Sequence, residues 1–273
     1  MRLPLFQVDA FADELFGGNP AAVVLLDATL PDAVLQAMAT ENQLSETAFV
    51  RPRGEGFDLR WFTPAVEVDL CGHATLATAF VLFEQGLVDG DTARFHTASG
   101  RLEVRREGGA AGAAVGPHTW LHMDFPSRPP EPAATPDGLA RALGARPAEV
   151  WAARDLVAVF EGEDEVAGLT PDFGLLAQLD AFAVCATAPG REVDFVSRFF
   201  APAKGVPEDP VTGSAHCTLT PFWAERLGTR ELTARQIGPR GGSLRCAERG
   251  DRVTLSGRVV PYLRGEIDLG EHA

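Results

Sequence analysis

Short apolar runs recur along the chain at residues 5–8, 21–26, 47–50, 57–62, 121–125 and 182–186, each bounded by glycine, proline or polar turn residues. Runs of that length with breakers at both ends predict strands. Two segments depart from the pattern. Residues 74–86 (ATLATAFVLFEQG) and 215–228 (AHCTLTPFWAERLG) carry apolar side chains all round and end in glycine, which predicts two helices buried on every face against sheet. Shorter amphipathic helices are predicted over 31–43, 136–143 and 171–179, each opened by a proline that fits the first helical turn.

Superposing the two apolar helices exposes an internal repeat. Arg60-Trp61-Phe62-Thr63-Pro64-Ala65 leads to Cys71-Gly72-His73-Ala74 and the first helix, and Arg198-Phe199-Phe200-Ala201-Pro202-Ala203 leads to Thr212-Gly213-Ser214-Ala215 and the second. The step from arginine to helix turn is eleven residues in one half and fourteen in the other. Each half continues into a glycine-bearing strand signal, at 98–104 and 240–246. The repeat predicts two similar αβ domains, each with a long helix wrapped by strands. The expected domains are residues 1–116, to which 261–273 can return, and 117–260. The stretch 108–116 (GGAAGAAVG) has the small, flexible composition of a linker between them. In this reading the domains face one another across a cleft, with the two helix starts at the seam.

Charge removes several function classes. Asp and Glu number 38 against 24 Lys and Arg, a formal −14, so the surface repels phosphate backbones and nucleic acid is not an expected partner. Lys204 is the only lysine and sits in a proline- and glycine-bracketed turn, which argues against a pyridoxal phosphate Schiff base. Cys71, Cys185, Cys217 and Cys246 form no CxxC pair, and the N-terminus shows no basic segment followed by an apolar run. These features predict a reduced, cytoplasmic protein. Nothing approaches the roughly 18 to 20 apolar residues of a membrane span.

A helix start presents unpaired N–H groups and a partial positive charge, so it can bind an anion without lysine or arginine. Gly72 and Gly213 would let a ligand approach that backbone, with Cys71 and Thr212 beside them, and this favours a carboxylated substrate. Either turn alone reads as an ordinary cap; their recurrence favours a site. Glu46 falls where a helix is expected to end and a buried strand to begin. A partly desolvated carboxylate there would have its pKa raised toward the working pH and could carry a proton between two substrate positions. His73 could donate to a substrate oxygen, Asp209 could orient an amine or hydroxyl, and Ser214 completes the second turn; the structural alternatives are a backbone-bonded histidine, an Asx turn before Pro210 and a serine cap. Cys71, His73, His216 and Cys217 lack zinc-ligand spacing, His118 and His122 lack the glutamate of an HExxH pair, and no metal or other cofactor is expected. There is no GxGxxG after a strand and no phosphate-binding loop.

The assembled motifs resemble the PhzF family of phenazine biosynthesis-like proteins, within the diaminopimelate epimerase superfamily. They are Val8-Asp9-Ala10-Phe11 with Phe16-Gly17-Gly18-Asn19-Pro20-Ala21-Ala22-Val23, Leu44-Ser45-Glu46-Thr47-Ala48-Phe49, and the two repeat units through Ala74-Thr75 and Ala215-His216. The resemblance spans nearly the whole chain. It implies an α+β fold of two pseudo-symmetric domains, each a curled, mainly antiparallel sheet or barrel around a central helix, and a cofactor-free isomerase, usually a homodimer, whose general acid/base maps onto Glu46 and whose other active-site residues map onto His73, Asp209 and Ser214. The phenazine-pathway member moves a proton between ring carbons of a dihydro-hydroxyanthranilate. Racemases of the superfamily use one cysteine at the start of each central helix. Here Cys71 holds the first such position but Thr212 the second, which favours a one-base proton shift by Glu46 and leaves a Cys71-dependent epimerase or a non-catalytic binding protein as alternatives.

Overall fold

The computed structural model describes residues 1–108, 115–116 and 118–270. Most of the predicted linker at 108–116 therefore lies outside the described residues. The chain divides into two compact units, Met1–Met123 with Ser256–Ala273, and Asp124–Leu255.

In the first unit, β1 (Arg2–Ala10) pairs antiparallel with β2 (Asn19–Leu25), and helix α1 (Asp32–Asn42) crosses to β3 (Glu46–Arg53), which lies parallel to β2. β3 turns back into β4 (Gly56–Phe62), followed by the short β5 (Glu67–Val68) and the central helix α2 (Gly72–Glu84). α2 returns the chain to β6 (Thr92–Thr97), parallel to β4, and β7 (Gly100–Arg106) and β8 (Leu121–Pro126) follow antiparallel. Every residue of α2 from His73 to Phe83 is buried, because β1, β2, β3, β6, β7 and the final strand all pack on it. This is why its sequence shows no polar face.

The second unit repeats that order. It opens with β9 (Glu131–Pro132), α3 (Leu139–Leu143), β10 (Glu149–Ala152) and β11 (Leu156–Val159). Helices α4 (Glu163–Ala167) and α5 (Phe173–Leu176) then lie between β11 and its parallel partner β12 (Val184–Pro189). β13 (Phe195–Ala201) and β14 (Val206–Asp209) follow antiparallel, then the central helix α6 (Gly213–Leu227), then β15 (Glu231–Gln236), parallel to β13, and β16 (Gly242–Glu248). β17 (Arg252–Gly257) leads to β18 (Val259–Asp268), which returns to the first unit and pairs with β1. The sequence β3-β4-β5-α2-β6-β7 thus recurs as β12-β13-β14-α6-β15-β16.

The repeated arginine motif has a physical cause. Arg60 forms a two-pronged ion pair with Glu67 across β4 and β5, and its guanidinium lies 5.1 Å from the centroid of the Phe62 ring. Arg198 does the same with Glu208 across β13 and β14, again 5.1 Å from the ring two residues on, Phe200. In each unit the pair braces the hairpin that feeds the central helix. The three-residue offset is taken up by a 3-10 turn at Pro202–Lys204.

Both long helices start two residues before the predicted segments, at Gly72 and Gly213. The shorter ones are trimmed. α3 begins only after Gly138, whose φ of 86° cannot continue a helix backwards, and α5 is one turn capped by the Asp172 side chain. α6 tolerates Pro221 because the carbonyl it orphans, that of Cys217, accepts from the Arg128 backbone N–H at 2.9 Å.

Candidate active site

Glu46 opens β3, three residues after the left-handed Gln43 that caps α1, with only Leu44 and Ser45 between them. α1 is itself fastened to the first repeat motif: the Gln36 amide donates to the Thr63 carbonyl and the Thr40 hydroxyl to that of Pro64. The helix-to-strand position read from the sequence is therefore a rigid one. Cys71 is the extended N-cap of α2, with no side-chain capping bond, and Gly72 and His73 are the first two residues of the helix. The helix start brings His73 Nε2 to 3.0 Å from Glu46 Oε2, with the imidazole 8% and the carboxylate side chain 17% exposed. The contact meets ion-pair distance without the alignment of a hydrogen bond, so Oε2 is buried beside the imidazole yet has no well-directed donor. Cys71 Sγ is 3.5 Å from His73 Nδ1 and 4.0 Å from Nε2.

The electrostatics of the trio follow from this geometry. Burial alone would lower the His73 pKa, but neighbouring Cys71 and the Glu46 carboxylate reverse the sign and hold it well above the ordinary histidine value. Burial, then repulsion from Glu46, pushes the Cys71 thiol up, with His73 opposing. The result is one imidazole set between a carboxylate and a thiol, its pKa held up by both while the thiol's own is pushed up. Among the described residues, the donor atoms of these three lie within 4.8 Å of one another. His216 and Cys217 take no part in such a group: His216 Nδ1 donates to the Thr212 carbonyl at 2.8 Å and the Cys217 thiol to that of Gly213.

In the second unit, Asp209 ends β14, Thr212 is the extended N-cap of α6, and Gly213 and Ser214 are its first two residues. The Asp209 carboxylate accepts from the Thr212 hydroxyl at 2.5 Å. Ser214 is not a cap. Its hydroxyl accepts from Arg154 Nη2 at 3.0 Å. The turn is held from behind by Gln236, which is 1% exposed. Its amide nitrogen donates to the Asp209 carbonyl at 2.5 Å and the Thr212 hydroxyl at 3.2 Å, and its amide oxygen accepts from the Thr212 N–H at 2.9 Å. Ser99 has the matching task in the first unit, donating to the Asp69 carbonyl at 2.8 Å. The residue reading of the turns did not find Gln236, Ser99 or Arg154. Only Gln236 left a signal, as a polar side chain in the buried phase of β15, where Leu232 and Ala234 precede it.

The remaining titratable groups of α6 are structural. Burial drives the His216 pKa down to about 4, against its bond to Thr212, so the ring is neutral and packs against Phe195. Burial likewise pushes the Cys217 thiol up to about 11 and Cys246 to about 12. Hollows of about 320 Å³ around Arg51, Arg60 and His96 in the first unit, and about 420 Å³ around Pro129, Trp151 and Phe222 in the second, are lined by none of these turn residues.

The family model for phenazine biosynthesis-like protein (PhzC-PhzF) matches residues 8–265. The chain belongs to this family. It is 54% identical over 269 residues to an uncharacterised isomerase of Pseudomonas aeruginosa, covering 98% of this chain and 100% of that one. A second such isomerase from the same organism is 48% identical over 270 residues, with 98% and 100% covered. The crystal structure of a PhzF family protein from Enterococcus faecalis superposes with a TM-score of 0.93 at 46% identity, covering 98% of this chain and 100% of that one. Fold class and family are as the sequence motifs imply. No helix among the described residues is long and apolar enough to cross a membrane.

Proposed function

We propose that this PhzF family member is a cofactor-independent isomerase that moves a proton within a small carboxylated substrate, a cyclic or unsaturated amino or hydroxy acid, with Glu46 as the general acid/base. The observation that carries the reading is the pairing of the nearly buried Glu46 carboxylate with His73, 3.0 Å from Oε2 to Nε2, on an imidazole whose pKa its neighbours hold up. Glu46 Oε2 takes the proton from a substrate carbon, and the electron pair of that C–H bond moves into the conjugated system. The same oxygen returns the proton to another carbon on the same face, so nothing is consumed. His73, as an imidazolium, donates to the substrate oxygen on which negative charge develops. Asp209 and Ser214 take the substrate-handling roles that the family pattern implies, with Gly72, Gly213, Thr212 and Cys71 as binding residues. The enzyme in this reading is a cytoplasmic homodimer.

Glu46→Gln keeps the shape of the side chain and removes the base. Incubated in deuterated water with a carboxylated substrate that the wild type turns over, this variant is expected to lose solvent deuterium incorporation by about 10²- to 10⁴-fold, with an unchanged fold by circular dichroism. Undiminished incorporation overturns the assignment. A Cys71-dependent epimerase is the second reading, supported by the 3.5 Å contact between Cys71 Sγ and His73 Nδ1. Its signature is activity lost in Cys71→Ser and kept in Glu46→Gln. Against it stand the raised Cys71 pKa and Thr212 at the matching helix start. Binding of carboxylic acids without any deuterium incorporation by the wild type would mark a non-catalytic binding protein.

A further inference from the structure

Arg154 lies in the turn between β10 and β11, 60 residues from Ser214 in sequence. Its Nε and Nη2 grip the two oxygens of Asp155 at 2.9 and 2.8 Å. Asp155 is 2% exposed, so the guanidinium is anchored in a fixed plane by a buried carboxylate. That plane lies 4.5 Å from the centroid of the Phe182 ring, and the same ring takes Lys204 Nζ at 5.0 Å. A chain with a formal −14 and one lysine thus places that lysine and an oriented arginine on one phenyl group. Phe182 is itself 43% exposed, which two cations over its ring explain better than core packing does. Nη2 also reaches Ser214, while Nη1 has no protein partner among the described residues and the side chain is one-third exposed. A pair serving only to neutralise Asp155 has no need of the Ser214 contact or of an open Nη1. The fork is the donor geometry that a carboxylate accepts.

We propose that Arg154, with Ser214, is the specificity-determining residue that reads the substrate's carboxylate. The inference rests on the isomerase reading above for the identity of the ligand, and it changes the source of positive charge expected at this turn from backbone amides to a side chain. Arg154 binds through Nη1 and the shared Nη2, Ser214 adds its hydroxyl, and Lys204 raises the local potential without contacting Ser214.

The test uses anthranilate and its neutral analogue anthranilamide as probes, with binding followed by NMR on the full chain. The wild type is expected to prefer anthranilate, and Arg154→Ala to lose about ten- to a hundredfold in anthranilate affinity, the range of a charge-assisted hydrogen bond, with anthranilamide unchanged. Removing Arg154 strands Asp155, so Arg154→Lys provides a second variant that keeps the charge and loses the fork; it is expected to fall between the two. In the wild type, the Arg154 Nε–H resonance should shift with anthranilate and not with anthranilamide. A folded variant that retains the full preference, an equal loss for both probes, or a wild type without preference or shift overturns the proposal. Glu46→Gln separates the two readings. It should abolish deuterium incorporation and leave the anthranilate preference intact, whereas incorporation that survives sinks the isomerase reading and says nothing against Arg154.

Discussion

Gln236 is the sharpest point at which fold and site are coupled. Its amide oxygen accepts from the buried Thr212 N–H, and its amide nitrogen also holds the Asp209 carbonyl. Gln236→Leu keeps most of the volume and leaves both backbone groups without that partner. A buried unsatisfied donor or acceptor costs about 1–3 kcal/mol. The Thr212 N–H bears the full penalty and the part-buried Asp209 carbonyl a fraction of it, so the variant should lose about 2–4 kcal/mol. Urea unfolding followed by tryptophan fluorescence measures this, since Trp223 sits in the same helix and donates to Thr187 at 3.0 Å. Gln236→Glu tests the polarity of the clamp. The carboxylate still accepts from Thr212 but sets an oxygen against the Asp209 carbonyl 2.5 Å away. Folding then favours the protonated acid, the native state binds more protons than the unfolded one, and stability rises as pH falls. Deuterium incorporation should drop in both variants with the probe preference of Arg154 altered little. A Gln236→Leu protein within about 0.5 kcal/mol of wild type, the level of an ordinary surface change, would refute the clamp.

The charge state of His73 gives a second prediction. A folded pKa above the unfolded value contributes stability that is complete below about 6.5 and lost as pH rises through the folded value. Histidine nitrogen NMR should find His73 protonated at neutral pH and released by Glu46→Gln; titration at or below the ordinary value in the wild type would contradict the pair. His216 has the opposite sign. Its pKa of about 4 against the ordinary histidine value of 6.5 means that stability is lost as pH falls through that window, to the extent of about 3 kcal/mol. His216→Asn should flatten the acid limb of a urea-midpoint profile, and an unchanged limb would place the loss elsewhere. Dialysis against a chelator should leave deuterium incorporation intact; loss restored by added zinc would make Glu46, Cys71 and His73 a metal centre.

Much of the architecture was legible because its determinants are local or repeated. The all-round apolar segments marked α2 and α6, and the recurrence of Arg-aromatic-Phe-x-Pro-Ala marked the hairpins that feed them. The position of Glu46 at a helix-to-strand junction was legible for the same reason, since α1 ends and β3 begins within a few residues of it. The short helices were less so, because one turn beside Gly138 or after Asp172 depends on a single cap. What the amino-acid order by itself determined is the doubled fold, the family, and which residue types stand at the two helix starts. Tertiary structure alone decided how they are charged and held. The proximity of Glu46 to His73, and so its share in raising the His73 pKa, comes from β3 packing beside α2. The clamp by Gln236 spans 24 residues and the hold of Arg154 on Ser214 spans 60. Contacts at such separations leave no local periodicity, and a pKa depends on the distance between charges and on burial, neither of which exists until the chain has folded.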